Sequence, residues 1–302
     1  ALVFLSSGTA NNKTYNGTTA ATLSIAVAFI GDPTGASVNA VTLTTGTADF
    51  IDKNVGNGKT VSFSGYGLGG LDAGKFSLFG QAASTTANIT PASLSVTANS
   101  AAKTYGQTTT FLGTAFTSSA LQNSETIGSV TLTSTGAVAT ANVAGSPYAI
   151  VPSAATGGTF TAANYTITYV NGALTVNPAA LSVTANNGAK NFGVTFTFAG
   201  TEFISSGLQN GQTIGSVTLT STGAVNTANV GSYPIVPSAA IGGTFTPGNY
   251  TITYVNGTLT VNTAGVALSV TANSAAKTYG TAFTLVGTAF TSIGLQIGRA
   301  HV

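Results

Sequence analysis

The chain has 302 residues, of which 43% are hydrophobic and only 5% charged, with a formal net charge of +2. That balance excludes a disordered segment, which needs low hydrophobicity and high charge, and it excludes a basic nucleic-acid-binding face. Cysteine is absent, so no disulfide staples the fold, and its absence suits a protein exported as an unfolded thread.

The opening Ala1-Leu-Val-Phe-Leu5 has neither a basic region nor a cleavage site and is not read as a signal peptide. Methionine is missing even at position 1, so the chain is expected to be a piece of something longer. The apolar run Ile25–Ile30 falls far short of the roughly 20 residues that cross a bilayer, and this fragment is not expected to span a membrane. Residues 1–91 read as a first β module, with Gly69-Gly70 as turn punctuation. Asp49, Asp52 and Asn54 put oxygen ligands near a turn, with Asp72 further on, but Phe63 stands where a helix–loop–helix calcium loop needs its twelfth-position acid. The expectation is a polar turn and no metal site.

The most informative feature follows. Leu-Ser-Val-Thr-Ala-Asn opens at Leu94, Leu181 and Leu268, a spacing of 87 residues, and Ile127–Val138 is identical to Ile214–Val225. A fixed period of that size signals an array of like modules. The array reads as residues 92–179, residues 180–264 and a truncated copy at 265–296. Lys13-Thr-Tyr15-Asn-Gly17 echoes Lys103-Thr-Tyr105-Gly106, Lys190-Asn-Phe192-Gly193 and Lys277-Thr-Tyr279-Gly280, so the first module shares the design.

Apolar and small polar residues alternate, as in Leu94-Ser-Val96-Thr and Val130-Thr-Leu132-Thr, and Thr, Val, Ile and Tyr are enriched. Both signals indicate half-buried strands with little helix. Tyr165–Val170, Asn171-Gly172 and Ala173–Val176 predict a type I′ hairpin, with Tyr169 opposite Leu174 and Ile167 opposite Val176. The same hairpin is predicted around Asn256-Gly257, and its tyrosines, Tyr250 and Tyr254, are expected to pack rather than to form a sugar-stacking row. Thr90-Pro91-Ala92 and Asn177-Pro178-Ala179 form short, stiff joints, whereas Thr263-Ala-Gly265-Val lacks the proline. Each module is expected to close its own interior, and the truncated copy, lacking the Asn-Gly hairpin, is expected to be frayed or borrowed by a neighbour.

Residues 297–302 (Ile-Gly-Arg-Ala-His-Val) break the repeat and match one translated frame of a common sequencing adapter, so this tail is expected to be non-native. It carries the chain's single Arg (Arg299) and single His (His301). Without them, acid–base chemistry falls to six carboxylates, Lys and Tyr. Glu125 aligns with Gln212 and Glu202 with Ala115, so neither acid is shared between modules, and no enzyme is expected. The recurring Lys13, Lys103, Lys190 and Lys277 read as exposed strand-end lysines that discourage edge pairing, with a repeated ligand contact as the alternative. Asn-x-Thr sequons occur at Asn12, Asn16, Asn88, Asn164, Asn249 and Asn256; several are expected by chance in a chain so rich in Thr and Asn, with glycosylation as the lesser alternative.

On these motifs two repeat families are recognisable. Residues 94–178 and 181–263 resemble the glycine-rich, mostly-β MBG repeats, through Ala-Lys-Thr-Tyr-Gly, Gly207–Leu219 and Asn-Tyr-Thr-Ile-Thr-Tyr-Val-Asn-Gly. Residues 8–91 resemble the YDG repeat through Lys13–Thr22, Lys53–Gly56 and Ser64-Gly-Tyr-Gly-Leu, with Asn16 where the family's name implies Asp. The resemblance implies repeats of large filamentous-haemagglutinin-like bacterial adhesins, secreted or held at the outer membrane and cell surface.

The fold class that follows is all-β: tandem immunoglobulin-like antiparallel β-sandwich modules in an elongated array. A β-solenoid would show rungs every 20–30 residues instead of every 87. The expected function is a structural spacer that projects a distal binding region. The alternative is a module that itself binds host or cell-surface glycans. No cofactor is expected, and the expected partners are neighbouring repeats of the same chain.

Overall fold

The computed structural model describes residues 2–30, 41–79, 84–265 and 269–294. The suspect tail at 297–302 and the third repeat start, Leu268, lie outside them. Strands dominate, and short 3-10 turns are the only helical segments among the described residues. The chain divides into two compact units, Ala1–Asn177 and Pro178–Val302.

The first unit holds two modules. Its leading module comprises β1 (Leu2–Ala10), β2 (Lys13–Thr14), β3 (Leu23–Ile30), β4 (Thr42–Thr44), β5 (Thr47–Phe50), β6 (Gly56–Ser64), β7 (Gly67–Gly69), β8 (Ser77–Phe79) and β9 (Ser84–Thr90). The next comprises β10 (Ala92–Ala98), β11 (Ala101–Thr104), β12 (Phe116–Ser119), β13 (Ile127–Thr133), β14 (Tyr148–Gly158), β15 (Tyr165–Val170) and β16 (Gly172–Asn177). In the second module a three-stranded sheet, β12-β10-β15, faces a four-stranded one, β11-β16-β14-β13. The leading module repeats that plan with β3-β1-β8 and β2-β9-β6-β5, and adds a small β4-β7 ladder. Seven strands in two sheets make the immunoglobulin-like sandwich.

The second unit repeats the plan again. Its strands are β17 (Ala179–Ala185), β18 (Gly188–Asn191), β19 (Phe203–Ser206), β20 (Ser216–Thr220), β21 (Gly231–Ile241), β22 (Tyr250–Val255) and β23 (Gly257–Asn262). They form sheets β19-β17-β22 and β18-β23-β21-β20. Two further strands, β24 (Ser269–Ala272) and β25 (Phe290–Ile293), belong to the truncated copy.

Antiparallel ladders run as expected, but each module is completed by two parallel ones. β10 lies parallel to β15 with Leu94 beside Ile167, and β11 lies parallel to β16 with Lys103 beside Val176. The opening stretch of the module therefore crosses from one sheet to the other and pairs with a late strand in each.

This topology corrects the predicted hairpin. β15 and β16 do not pair with each other: β15 joins β10, while β16 joins β11 and β14. Asn171-Gly172 is the corner at which the chain changes sheets. Gly172 is required for space rather than for positive φ, because a Cβ there would lie 2.6 Å from the Ala98 carbonyl oxygen and 2.8 Å from that of Asn99. The faces are nevertheless as expected. Leu174 and Val176 are buried, Ile167 and Tyr169 pack partly buried, and Thr168 and Thr175 point to solvent. Inward-facing residues of facing sheets and of a hairpin carry the same alternation, so the pattern fixes the face but not the partner.

A true type I′ turn lies elsewhere. Asn123 and Ser124 both take positive φ (49° and 55°), and the Glu125 amide donates to the Gln122 carbonyl at 2.9 Å. In the second unit Asn210-Gly211 builds the same turn before Gln212.

The core of the first unit is continuous. Tyr15, Phe50, Val61 and Ile89 of the leading module form one buried cluster with Leu94, Val96, Val130 and Tyr165 of the next. Each fully buried aliphatic side chain contributes about 1.5–3 kcal/mol. The expectation that every module closes its own interior therefore fails at this seam. Pro91 carries β9 straight into β10 without separating the two interiors.

In the truncated copy, β24 and β25 keep the register of β10 and β12, with Val270 opposite Ser292 as Val96 is opposite Ser118. Val270 is 57% exposed, however, whereas Val96 and Val183 are fully buried. Among the described residues no second sheet faces this ladder, and Val270, Phe290 and Ile293 are exposed.

Replacing Gly172 by alanine should lower stability by about 1–3 kcal/mol, since backbone carbonyls cannot yield to the new methyl group. Gly74→Ala, where a Cβ meets nothing within 4 Å, should stay within about 0.5 kcal/mol. Urea unfolding of the two variants checks the contrast, and equal midpoints would refute it.

Candidate functional site

The densest polar constellation in the first unit sits where its two modules meet. The Asn123-Ser124 turn presents Glu125, a residue only 7% exposed. Tyr15 donates to Glu125 Oε1 at 2.5 Å and Tyr165 to Oε2 at 2.7 Å, and Lys53 Nζ lies 3.1 Å from Oε1. Tyr165 also accepts from the Gln122 amide at 2.9 Å, so the turn and the ring hold one another. The two tyrosine rings meet edge to face at 5.4 Å. Tyr15 and Lys53 come from the leading module, and Glu125 and Tyr165 from the next.

Further contacts close the same seam. Asn164 accepts from the Val55 amide at 2.9 Å and donates to Asn54 Oδ1 at 3.1 Å. Gly17 comes so close to Asn123 that a Cβ there would lie 2.3 Å from the asparagine Cβ.

Burial works against the ionised form of Glu125, but the hydroxyls of Tyr15 and Tyr165 and the Lys53 ammonium outweigh it and hold the carboxyl below its usual range. Burial, helped by the adjacent carboxylate, raises both tyrosines, and Tyr165 reaches about 12 although the Gln122 amide opposes the shift. Both hydroxyls thus stay protonated donors over a wide pH range. Both carboxylate oxygens of Glu125 accept hydrogen bonds from within the fold.

The recurring lysines differ from the expectation of exposed strand ends. Lys103 and Lys190 are buried. Lys103 Nζ donates to the carbonyls of Gln107 (2.9 Å) and Val138, and Lys190 Nζ to those of Val194 (2.7 Å) and Val225. Lys13 Nζ reaches Thr18 O at 2.6 Å, Ala20 O at 2.9 Å and Asn16 Oδ1 at 3.1 Å, and lies 5.2 Å from the Phe50 ring centre. Each lysine thus binds irregular backbone to the start of its module, gathering carbonyls that no ladder satisfies. Burial pushes the Lys103 ammonium below the usual lysine range. Lys277, in the truncated copy, is exposed.

The other candidates are likewise engaged. Asp52 accepts from Lys59 Nζ at 2.7 Å and from the Asn54 amide at 2.8 Å, Asp49 accepts from Thr19 at 2.9 Å, and Asp72 pairs with Lys75 at 2.8 Å. These carboxylates serve separate contacts, and among the described residues no group of three or more His, Cys, Asp or Glu gathers to hold a metal. Glu202 folds back onto the amides of Ala199, Gly200 and Thr201. Tyr165 and Tyr250 are buried, while Tyr169 and Tyr254 accept the amides of Ala155 and Ala240 at 2.8 Å each. Those amides follow Ala154 and Ala239, whose positive φ marks the bulge of β14 and of β21. Of the sequons, Asn164 and Asn249 are 1% exposed and therefore closed to modification in the folded protein. Among the described residues no buried side-chain nitrogen or oxygen lacks a partner. No helix among them is long and apolar enough to cross a membrane.

Sequence reasoning missed Glu125 by dismissing it as unshared. Its signal was isosterism: the aligned residue is Gln212, whose Oε1 accepts from Tyr250 at 2.5 Å. An oxygen acceptor is the shared requirement, and only its charge differs.

Comparison with known families agrees with this architecture. The MBG domain of YGX type matches residues 94–175 and 181–260, and the YDG domain matches residues 2–87. The chain belongs to the MBG family of the YGX type. MBG and YDG domains are repeat domains of adhesin-like proteins, and the MBG pair here follows a YDG module. No curated protein matches the chain. Among solved structures it is similar to titin domains I67–I69, an E-to-A mutated variant, at 9% identity over 84% of this chain and 96% of that one, with a TM-score of 0.22.

The depressed Glu125 value fixes the sign of a pH effect. The carboxylate contributes stability that is complete above the unfolded value, near 4.3, and is lost as pH falls through the lower folded value. Thermal unfolding of the first unit between pH 3 and 7 should therefore be less acid-sensitive in Glu125→Gln than in the wild type, and parallel curves would refute the assignment. Lys103→Met should cost about 2 kcal/mol, because it leaves the Gln107 carbonyl without its donor and removes one of the two donors to Val138. An unchanged denaturation midpoint would show that the clamp contributes nothing.

Proposed function

We propose that these MBG and YDG modules are a structural spacer in a secreted or cell-surface bacterial adhesin, holding a distal binding region away from the cell. The observation that carries this reading is the continuous seam. A short proline joint, one buried cluster running through two modules and a carboxylate held from both sides make a connection suited to resisting bending. The chemistry supports the same reading. Glu125, Tyr15, Tyr165, Tyr250, Lys103 and Lys190 are committed to the fold, and the chain is rich in Thr, Ser and Asn. The alternative, glycan binding by the modules themselves, loses its main candidates with the burial of Tyr165 and Tyr250.

Small-angle scattering of the chain should give an elongated profile, and a glycan array probed with the same chain should stay blank. A compact profile, or saturable binding to one glycan class, would overturn the spacer reading.

A further inference from the structure

Modules of one plan joined end to end need a rule for which may follow which, and the seam carries a candidate for that rule. Glu125 is buried and charged, yet its neighbours on its own module supply one hydroxyl donor, Tyr165. The second hydroxyl and, among the described residues, the only cation come from the preceding module, as Tyr15 and Lys53. Lys53 sits in the turn between β5 and β6. In the second module the corresponding strands are β13 and β14, and residues 134–147 between them contain no charged residue. The third module, whose sequence is otherwise so close to the second, carries Gln212 in place of the acid. Acid and lysine are present together, and they are absent together.

A buried carboxylate without its cation costs several times what the pair contributes, whereas a neutral amide in the same place needs no cation. In the Tyr250–Gln212 contact an amide oxygen accepts the corresponding tyrosine hydroxyl at 2.5 Å. The two side chains therefore differ in their need for a nearby cation, which the carboxylate has and the amide does not.

We propose that the residue at position 125 determines module order, a glutamate accepting as its N-terminal neighbour only a module that offers both a tyrosine hydroxyl and a lysine, as this YDG module does. The partner surface is thus the β5–β6 turn of a YDG-type module together with its Tyr15. The position works by positioning and selection, and no ligand is involved.

The test is a double-mutant cycle in the full chain, read by hydrogen exchange at peptides covering Val55, whose amide crosses the seam to Asn164. Lys53→Gln should speed exchange there by about fivefold, the scale of one side-chain coupling, whereas Glu125→Gln should stay within about twofold of the wild type, because the amide needs no cation. The combined variant should return to within about twofold of the wild type, because a glutamine at 125 no longer depends on the lysine. Acceleration of the double variant to the level of Lys53→Gln would overturn the proposal, as would wild-type exchange in Lys53→Gln. The Lys53 side chain is 41% exposed, so Lys53→Gln tests the pairing even if Glu125→Gln disturbs the fold. In that case acceleration by Lys53→Gln supports the pairing, and wild-type exchange refutes it.

Discussion

One carboxylate, Glu125, ties two sandwiches into a single unit. In a chain with six acids, burying one is costly unless donors surround it, and here they arrive from both modules: Tyr15 and Lys53 from one side, Tyr165 from the other. The charge therefore makes the seam conditional on correct neighbours. Around it the apolar cluster from Phe50 and Ile89 to Leu94 and Val96 supplies the bulk of the burial, which is non-directional and would tolerate sliding. Hydrogen bonds at fixed geometry remove that freedom.

Within each module a second device recurs. The parallel pairing of β2 with β9, β11 with β16 and β18 with β23 brings a lysine to the same point each time, next to Ile89, Val176 and Val261. From there its ammonium reaches carbonyls of a loop that belongs to no ladder. A cation used this way adds nothing to the surface. It explains how a protein with so few charges can place several of them inside.

Much of the architecture was legible in the residues. The 87-residue period, the alternation of Val, Leu, Thr and Ser, and the inward faces of Ile167, Tyr169, Leu174 and Val176 were all readable, because burial is written in side-chain type at a period of two. Strand partners were not. Asn171-Gly172 looks like a hairpin turn, but there the chain steps between sheets, and Gly172 is small because Ala98 and Asn99 leave no room. Nor was the fate of the lysines legible. An amphipathic residue at a strand end suits an exposed edge or a buried cage equally well, and only the loop that covers it decides between them.

The sequence alone determined the repeat, the all-β class, the absence of disulfides and the rows of residues that face inward, since each depends on composition and on spacing along the chain. Tertiary structure alone decided that Tyr15 and Lys53 meet Glu125, that Asn164 is closed off and that two modules share one interior. Those facts join residues some 70 to 110 positions apart in the chain, and no local propensity carries information over such distances.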